Sequence, residues 1–425
     1  MSSLLNKIKA PFIDTLPYRI YKKSYARFFS FVKGNPSKNM TILGVTGTDG
    51  KSTTSAVLHY IINQNLGKCA LISTVSIKFG DKEIINESKM TSLDPMHLQN
   101  VLLAAKNEGC KYVVLEVSSH ALNQYRFEGV DFDLGVLTNF SEEHLDYHKT
   151  FEEYVKSKKK LFDNIISNEK EYKYAVLPGD DKIGRQRDED FSFDRSTIFS
   201  INASAPLKAE QIHEYVYGTH FQLKYLGEIH SVKVQLLGSF NVYNILAAIG
   251  AAMLLGVSIE KSIKSASDFK PLSGRQQTIH KDGRTFVIDF AHTPKGLESV
   301  LSFLNNVKNG RIITVFGAPG NRDKFKRPLM GEVVGKKSDI AIITDDDPDT
   351  ENRYSILSQI YKGIEDHKTF GEDVFVVPDR EDAIKLAKDL SQEQDIVFLA
   401  GKGHETVQVT NFGKRERSDE KQVYK

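Results

Sequence analysis

MTILGVTGTDGKSTTSAVLHYIINQ, residues 40–64, runs from a short apolar segment through a glycine-rich turn into a stretch with helical spacing. Strand, loop and helix in that order are the architecture of a phosphate site. Glycines let backbone N–H groups close around phosphate oxygens, and the start of the helix favours negative charge. Lys51 can reach the terminal phosphates, and the Ser52 hydroxyl can hold Mg²⁺. Strict spacing asks for glycine five residues before Gly50, but Val45 stands there and Gly44 is the nearest glycine. A glycine-rich loop with an incidental lysine is the alternative, and the agreement of strand, loop and helix argues against it. ATP is the expected ligand.

Outward from this unit, CALIST, YVVLEVS, FDLGVLTNF and YAVLPGD read as further buried strands separated by helical stretches, the signature of a largely parallel α/β sheet. Around 211–238 the period becomes two, and FQLKY and HSVKVQLL flank a glycine turn, so a hairpin is expected to add an antiparallel flank. The long helical stretch NVYNILAAIGAAMLLG follows, and Pro271-Leu272-Ser273-Gly274 reads as a linker. Beyond it, TFVIDF, RIITVFG, DIAIITD, DVFVVPD and DIVFLAG form a second alternating series. The expected fold is α/β: a short basic and aromatic segment over 1–38, a central P-loop-type ATPase domain with a mostly parallel sheet over 39–271, and a C-terminal Rossmann-like α/β domain over 272–425.

Composition narrows the class. A chain of 425 residues exceeds the length served by one core, and 40% apolar with 26% charged residues is ordinary for a globular protein. No apolar run is long enough to span a bilayer. Only Cys69 and Cys110 are present, and the start lacks the pattern of a signal peptide, so a cytoplasmic location is expected. A net charge of +2 gives no reason to expect nucleic acid as a partner, although the first 38 residues carry eight Lys/Arg against one Asp. This segment reads as a helix packed on the next domain with its basic face solvated, or as a weak membrane-surface contact.

YVVLEVSSHAL ends in Glu116, Ser118, Ser119 and His120 at the strand edge where α/β sheets bind ligands, and the next strand runs into a segment containing His144. Taken alone, Glu116 with His144 serves equally as a divalent-metal pair or as a cap with a surface histidine. The phosphate loop favours the metal, because nucleotide-bound Mg²⁺ recruits one or two carboxylates.

These segments resemble the Mur ligases, and within them the branch of UDP-N-acetylmuramyl-tripeptide synthetases. GVTGTDGKSTT resembles the family's nucleotide loop, MTSLDP and EVSSHALNQYR its acceptor segments, and TNFSEEHLDYHKTFEEYVKSKKKLF its metal and modified-lysine segment. GSFNVYNILAA, SGRQQ, DFAHTP, FGAPGNRDKFKRPLM, TDDDPD and GKGHE follow in the family's order, so the resemblance covers about residues 40–410. It implies an ATP-dependent ligase that makes an acyl-phosphate and adds an amino acid to UDP-N-acetylmuramoyl-L-alanyl-D-glutamate in cell-wall synthesis, acting as a monomer on small molecules. Thr46, Gly47, Thr48, Asp49, Gly50, Lys51, Ser52 and Thr53 match the nucleotide loop, Asn241 and Asn244 adenine contacts, and Arg275 and Asp289 groups closing on phosphate and ribose. Ser52 and Glu116 match ligands of a first Mg²⁺ and His144 of a second, while Lys158 matches a lysine that CO₂ converts to a carbamate sharing that second ion. Thr91, Ser92, Ser118, Gln124 and Arg126 match the acceptor site. Arg322, Asp346, Asp347, Gly401 and Glu405 match the site of the incoming amino acid.

Three departures stand out. The family's N-terminal uridine-diphosphate domain has no counterpart beyond residues 1–38, and Asp49 replaces the usual asparagine of the loop. Where diaminopimelate-adding members show Asp-Asn-Pro-Arg, this chain has Asp346-Asp347-Pro348-Asp349. An acid in place of the arginine repels a distal carboxylate and attracts an ammonium, so L-lysine is expected over meso-diaminopimelate. The competing readings are a folylpolyglutamate-synthase-like ligase and a catalytically silent nucleotide-binding scaffold. EVSSHAL, HLDYH and GKGHE oppose the first, and the joint presence of Lys51, Ser52, Glu116, His144 and Lys158 opposes the second. His292 and His404 are expected to order loops rather than act as bases.

Overall fold

The apolar segment ahead of the phosphate loop forms β1 (Thr41–Thr46), and everything in the first unit is arranged about it. The computed structural model describes residues 15–86, 90–140, 145–181, 184, 191–271 and 274–425. In chain order the elements are α1 (Leu16–Val32), β1, α2 (Lys51–Asn65), β2 (Cys69–Ile72), β3 (Ser76–Phe79), β4 (Lys82–Ile85), α3 (Pro95–Asn107), β5 (Tyr112–Glu116), α4 (Ser119–Asn123), β6 (Leu134–Leu137), α5 (Leu145–His148), α6 (Phe151–Ser167) and β7 (Tyr174–Pro178). Then come β8 (Arg195–Ser200), β9 (Leu207–Tyr215), β10 (Gly218–Tyr225), β11 (Glu228–Val234), α7 (Ser239–Leu254) and α8 (Ile259–Asp268). The C-terminal series is β12 (Gln277–Lys281), β13 (Arg284–Asp289), α9 (Pro294–Val307), β14 (Ile312–Phe316), α10 (Lys326–Lys337), β15 (Ile340–Ile343), α11 (Arg353–Tyr361), β16 (Val374–Val376), α12 (Arg380–Leu390), β17 (Ile396–Ala400), β18 (Val407–Thr410), β19 (Gly413–Glu416) and α13 (Asp419–Tyr424).

Eleven strands form one sheet in the order β11-β10-β9-β8-β7-β6-β1-β5-β2-β3-β4. β1 pairs in parallel with β5 on one side and β6 on the other, so strands that follow each other in sequence lie on opposite sides of it. Such a reversal opens a crevice at the carboxyl ends, where α/β sheets take their ligands. The fully apolar strands and Leu102, Leu122, Phe132 and Phe162 of the covering layers build the core on one side of the sheet. Local chemistry starts the helices: Asp94 accepts the His97 N–H ahead of Pro95 in α3, and Thr150 accepts the Glu153 N–H in α6. The alternating segment forms β10 and β11 about Leu226-Gly227, as the period-two pattern predicts. β9 adds a further hairpin that the pattern at 211–238 does not separate from its neighbour, because Leu207–Tyr215 alternates only weakly.

The second sheet runs β12-β13-β17-β14-β15-β16, parallel except for the antiparallel β12–β13 pair. β12 and the separate hairpin β18–β19 are additions to the five strands read from the sequence. By compactness the chain divides in two: one unit takes the chain up to Gln211 with Phe221–Val232 and Asn241–Phe269, and the other takes Ile212–His220, Lys233–Phe240 and Lys270–Lys425. Pro271 to Gly274, read as the linker, includes Leu272 and Ser273, which lie outside the described residues.

α1 is a helix packed on the first unit. It packs through Ala26 and Ser30, with the Ser30 hydroxyl donating to the Gly129 carbonyl at 2.7 Å, and its outward residues include the basic Arg19 and Arg27 together with large apolar side chains that the basic reading did not anticipate. No helix among the described residues is long and apolar enough to cross a membrane.

The end of the chain is held by a buried ion pair. Arg380 of α12 donates to both carboxylate oxygens of Asp419, at 2.8 and 2.6 Å, and to the Ala400 carbonyl at 2.9 Å. Asp419→Ala leaves that guanidinium buried without its charge partner. It is expected to destabilise the second unit by about 3–5 kcal/mol, read as a lower urea midpoint of that unit's transition.

Candidate active site

Gly50 takes a left-handed conformation (φ +80) that starts α2 without a side-chain cap. A Cβ there would come within 2.0 Å of Asn244 Oδ1, so glycine is required both by the backbone and by the neighbour packed on it. Asn244 in turn donates to Asn241 Oδ1 at 2.8 Å and accepts from Thr54 Oγ1 at 3.3 Å. The two asparagines expected at adenine are thus buried and also buttress the loop. From β6, Thr138 Oγ1 donates to the Asp49 carbonyl at 2.6 Å, and Asn139 accepts from the Asp49 N–H at 2.9 Å. Asp49 makes these contacts through its backbone while the residue as a whole is exposed. The substitution for asparagine therefore leaves the loop's shape intact.

Ser52, at the start of α2, donates to Glu116 Oε1 at 2.9 Å, and the other carboxylate oxygen accepts from the Thr74 N–H and hydroxyl at 2.8 and 3.0 Å. Hydroxyl and carboxylate oxygens side by side are the hard donors that suit Mg²⁺. Lys51 Nζ donates to the carbonyls of Gly47 and Thr48 at 3.1 and 2.6 Å. Lys158 reaches the same loop from α6: only 2% exposed, it donates to the Gly47 carbonyl at 2.6 Å and lies 4.4 Å from the centre of the Tyr154 ring. Tyr154 OH is 2.8 Å from Thr48 Oγ1. His144 falls among the residues not described.

Gly47, Lys51, Thr91, Ser92, Ser118, Gln124, Arg126 and Lys158 line one cavity of about 290 Å³. Gly47 and Lys51 of the nucleotide loop therefore meet the five matched acceptor residues around one space. Arg126 donates to the Ser92 carbonyl at 2.8 Å and, through two nitrogens, to Gln124 Oε1 at 3.0 and 2.7 Å. Ser92 Oγ lies 3.1 Å from Ser118 Oγ, tying the MTSLDP turn to the end of β5. Sequence reasoning left Thr74, Thr138, Tyr154 and His148 unassigned. His148 is buried with its ring nitrogens 3.0 Å from Ser119 Oγ and 3.3 Å from Ser157 Oγ, and its place in HLDYH was the available signal.

The second unit gathers its own charged group at the carboxyl ends of β15 and β17. Asp346, Asp347 and Glu405 lie within 4.8 Å of one another, and Gly401 (φ +105) approaches so closely that a Cβ would be 3.0 Å from Asp346 Oδ2. The buried Lys402, quoted in GKGHE but given no role, donates to Asp347 at 2.8 Å and Glu405 at 2.6 Å. Burial opposes its charge, yet Asp346, Glu405 and Asp347 outweigh that and raise its pKa, while burial raises that of Asp346. Asn321 Nδ2 donates to Asp349 Oδ2 at 3.1 Å and to Thr350 Oγ1 at 2.9 Å, so the loops bearing Arg322 and Asp349 are interlocked. Asp349 is half-buried, and Arg322 is exposed. Asp289 is buried at the end of β13, accepting the Gln276 and Ala291 N–H groups at 2.8 and 2.7 Å, and the Arg275 guanidinium lies 4.6 Å from the centre of the Phe290 ring. Arg275 and Asp289 belong to this unit, apart from the phosphate loop's own.

Phosphate chemistry in one unit and a charged small-molecule site in the other define a class, the ATP-dependent acid–amino-acid ligases. Known proteins narrow it: the Mur ligase middle domain matches residues 45–252, and the Mur ligase glutamate ligase domain matches 274–403. The chain belongs to the Mur ligase family. It is 38% identical to UDP-N-acetylmuramoyl-L-alanyl-D-glutamate–2,6-diaminopimelate ligase 1 of Clostridium acetobutylicum over 92% of this chain and 78% of that one. A solved structure of a UDP-N-acetylmuramoyl-L-alanyl-D-glutamate–2,6-diaminopimelate ligase superposes with a TM-score of 0.66 at 31% identity, covering 94% of this chain and 80% of that one. Mycobacterium tuberculosis folylpolyglutamate synthase shares the fold alone, with a TM-score of 0.72 at 14% identity over 89% of this chain and 92% of that one.

His292 donates from Nδ1 to the Phe290 carbonyl at 2.8 Å, ordering the DFAHTP loop. Burial, with Lys326 nearby, lowers its pKa from 6.5 to about 4. The unfolded chain therefore binds a proton that the folded protein refuses between these values, and stability falls as pH drops through that window. His292→Asn, which keeps a donor for Phe290, is expected to flatten this part of the pH–stability profile, measured by denaturant unfolding at stepped pH.

Proposed function

We propose that the chain joins a diamino acid to UDP-N-acetylmuramoyl-L-alanyl-D-glutamate through an acyl-phosphate, with L-lysine preferred to meso-diaminopimelate. The observation that carries the ligase is the single cavity where Lys51 and Lys158 face Ser92, Ser118, Gln124 and Arg126. A carboxylate of the acceptor, held by the Arg126 guanidinium, attacks the γ-phosphorus of ATP. The new O–P bond forms as the bond to the β-phosphate oxygen breaks, and ADP leaves. Lys51 offsets the charge on the moving phosphoryl group. The amine of the incoming amino acid then adds to the acyl carbon, and phosphate and a proton depart. Ser52 and Glu116 would hold Mg²⁺, which supplies charge neutralisation at the phosphates when bound.

Lys158 is proposed to carry a carbamate. Its neutral amine adds to the carbon of CO₂, an N–C bond forms, and a proton passes to solvent, turning a cation beside the phosphate loop into an anion able to share a second metal with His144. ¹³C NMR in labelled bicarbonate is expected to show a carbamate signal that disappears in Lys158→Ala together with activity. A fully active protein without that signal refutes the modification.

The amino-acid preference rests on charge. The matched residues include four acids, Asp346, Asp347, Asp349 and Glu405, against Arg322, with Lys402 bonded among the acids and the buried Arg380 close enough to act on Asp346. This excess of acid suits a side-chain ammonium and disfavours a second carboxylate. The relatives are named for 2,6-diaminopimelate, so a lysine preference departs from their names and rests on the charge of this chain's own site, Asp349 above all. With UDP-N-acetylmuramoyl-L-alanyl-D-glutamate, ATP and Mg²⁺, product mass and ADP release should show lysine added faster than meso-diaminopimelate. Asp349→Arg should move the ratio toward diaminopimelate by about tenfold to a hundredfold. A wild-type preference for diaminopimelate discards the selectivity and keeps the ligase, whereas no product with either amino acid points to a different acceptor.

A further inference from the structure

α1 carries six of the chain's large exposed apolar side chains within 17 residues: Leu16, Ile20, Tyr21, Phe28, Phe31 and Val32. At 100° per residue they fall within an arc of about 160° on one side of the helix. The opposite side holds Ala26 and Ser30 against the first unit, so the apolar arc is the solvent face, with Phe31 75% exposed and Leu16 70%. Isolated exposed apolar residues need no explanation, but a contiguous aromatic and aliphatic stripe does.

Charge identifies its occupant. Residues 16–38 contain six Lys/Arg and no Asp or Glu. Glu128 takes two of them, forming ion pairs with Lys23 at 3.4 Å and Arg27 at 2.9 Å. Lys22 lies 5.5 Å from the centre of the Tyr18 ring and 6.0 Å from that of Tyr21. By the same angles Lys23 and Arg27 run along one edge of the stripe, Arg27 largely exposed, and no acid of the helix borders it. An apolar stripe rich in Phe and Tyr with cations along its edge is the composition of a helix that lies in a bilayer interface, where lysine and arginine meet anionic headgroups. A protein groove would supply the apolar partner but gives no reason for the one-signed border.

We propose that α1 docks the protein on an anionic membrane surface through Ile20, Tyr21, Phe28 and Phe31. The helix adjoins the acceptor cavity: Tyr18, on its inner side, is close enough to interact electrostatically with Arg126 and Tyr147, and Lys23 lies 4.9 Å from the centre of the Tyr125 ring. The proposal goes beyond the ligase reading and does not depend on which amino acid is added.

The full chain is tested by co-sedimentation with vesicles of mixed phosphatidylglycerol and phosphatidylcholine, and with phosphatidylcholine alone. Binding is expected to the anionic vesicles, weaker in high salt, and reduced at least about tenfold in the exposed-face variant Ile20→Ser/Phe28→Ser/Phe31→Ser. Soluble-substrate turnover of that variant should stay at the wild-type level, which separates a docking defect from misfolding. Absence of binding to anionic vesicles overturns the proposal, and so does equal binding to neutral ones. A dimer that the triple variant disperses, without vesicle binding, assigns the face instead to a second copy of the chain.

Discussion

The pairing of β1 between β5 and β6 is the constraint on which the first site depends. Val45 sits opposite Glu116 and Thr46 opposite Leu137, so the loop after β1, the carboxylate ending β5 and the Thr138-Asn139 pair after β6 come together at one edge. A shift of one residue in the β1–β5 pairing would turn Glu116 to the other face of the sheet. The Ser52–Glu116 contact and the Thr138–Asp49 bond follow from that register.

Two lysines on one loop raise an electrostatic question that the surroundings answer. Lys51 and Lys158 both donate to the Gly47 carbonyl, and Lys158 also lies over the Tyr154 ring. Carbonyl dipoles and an aromatic face offset part of the cost of burying these charges, and phosphate would offset more. The second unit solves the opposite problem. Its acids gather around Lys402, so that three carboxylates can stand within 4.8 Å of one another. One unit thus brings two cations onto a loop, and the other gathers three acids about one lysine.

Much of this was legible beforehand because it is local. The glycine-rich turn and the runs of buried strands are properties of a few consecutive residues. β12 and β19 carry little apolar content, β18 is too short for its alternation to register, and β9 loses its alternation halfway, so pairing partners supply the order. Tyr154, Thr74 and His148 escaped for a related reason: an ordinary hydroxyl or imidazole gains significance only from what lies beside it.

The sequence by itself determined the two α/β series, the phosphate loop and the set of side chains available to the chemistry, since each is written in spacing and residue type. Tertiary structure decided which of those side chains meet. Arg126 was drawn to Ser92, Lys158 to Gly47, and Asp349 to Asn321, across separations in the chain that no periodicity encodes. It also decided which face of α1 looks outward. Spacing showed that the helix has apolar and basic residues, but the small Ala26 and Ser30 permit the close approach to Gly129, and that contact leaves the aromatic side to the solvent.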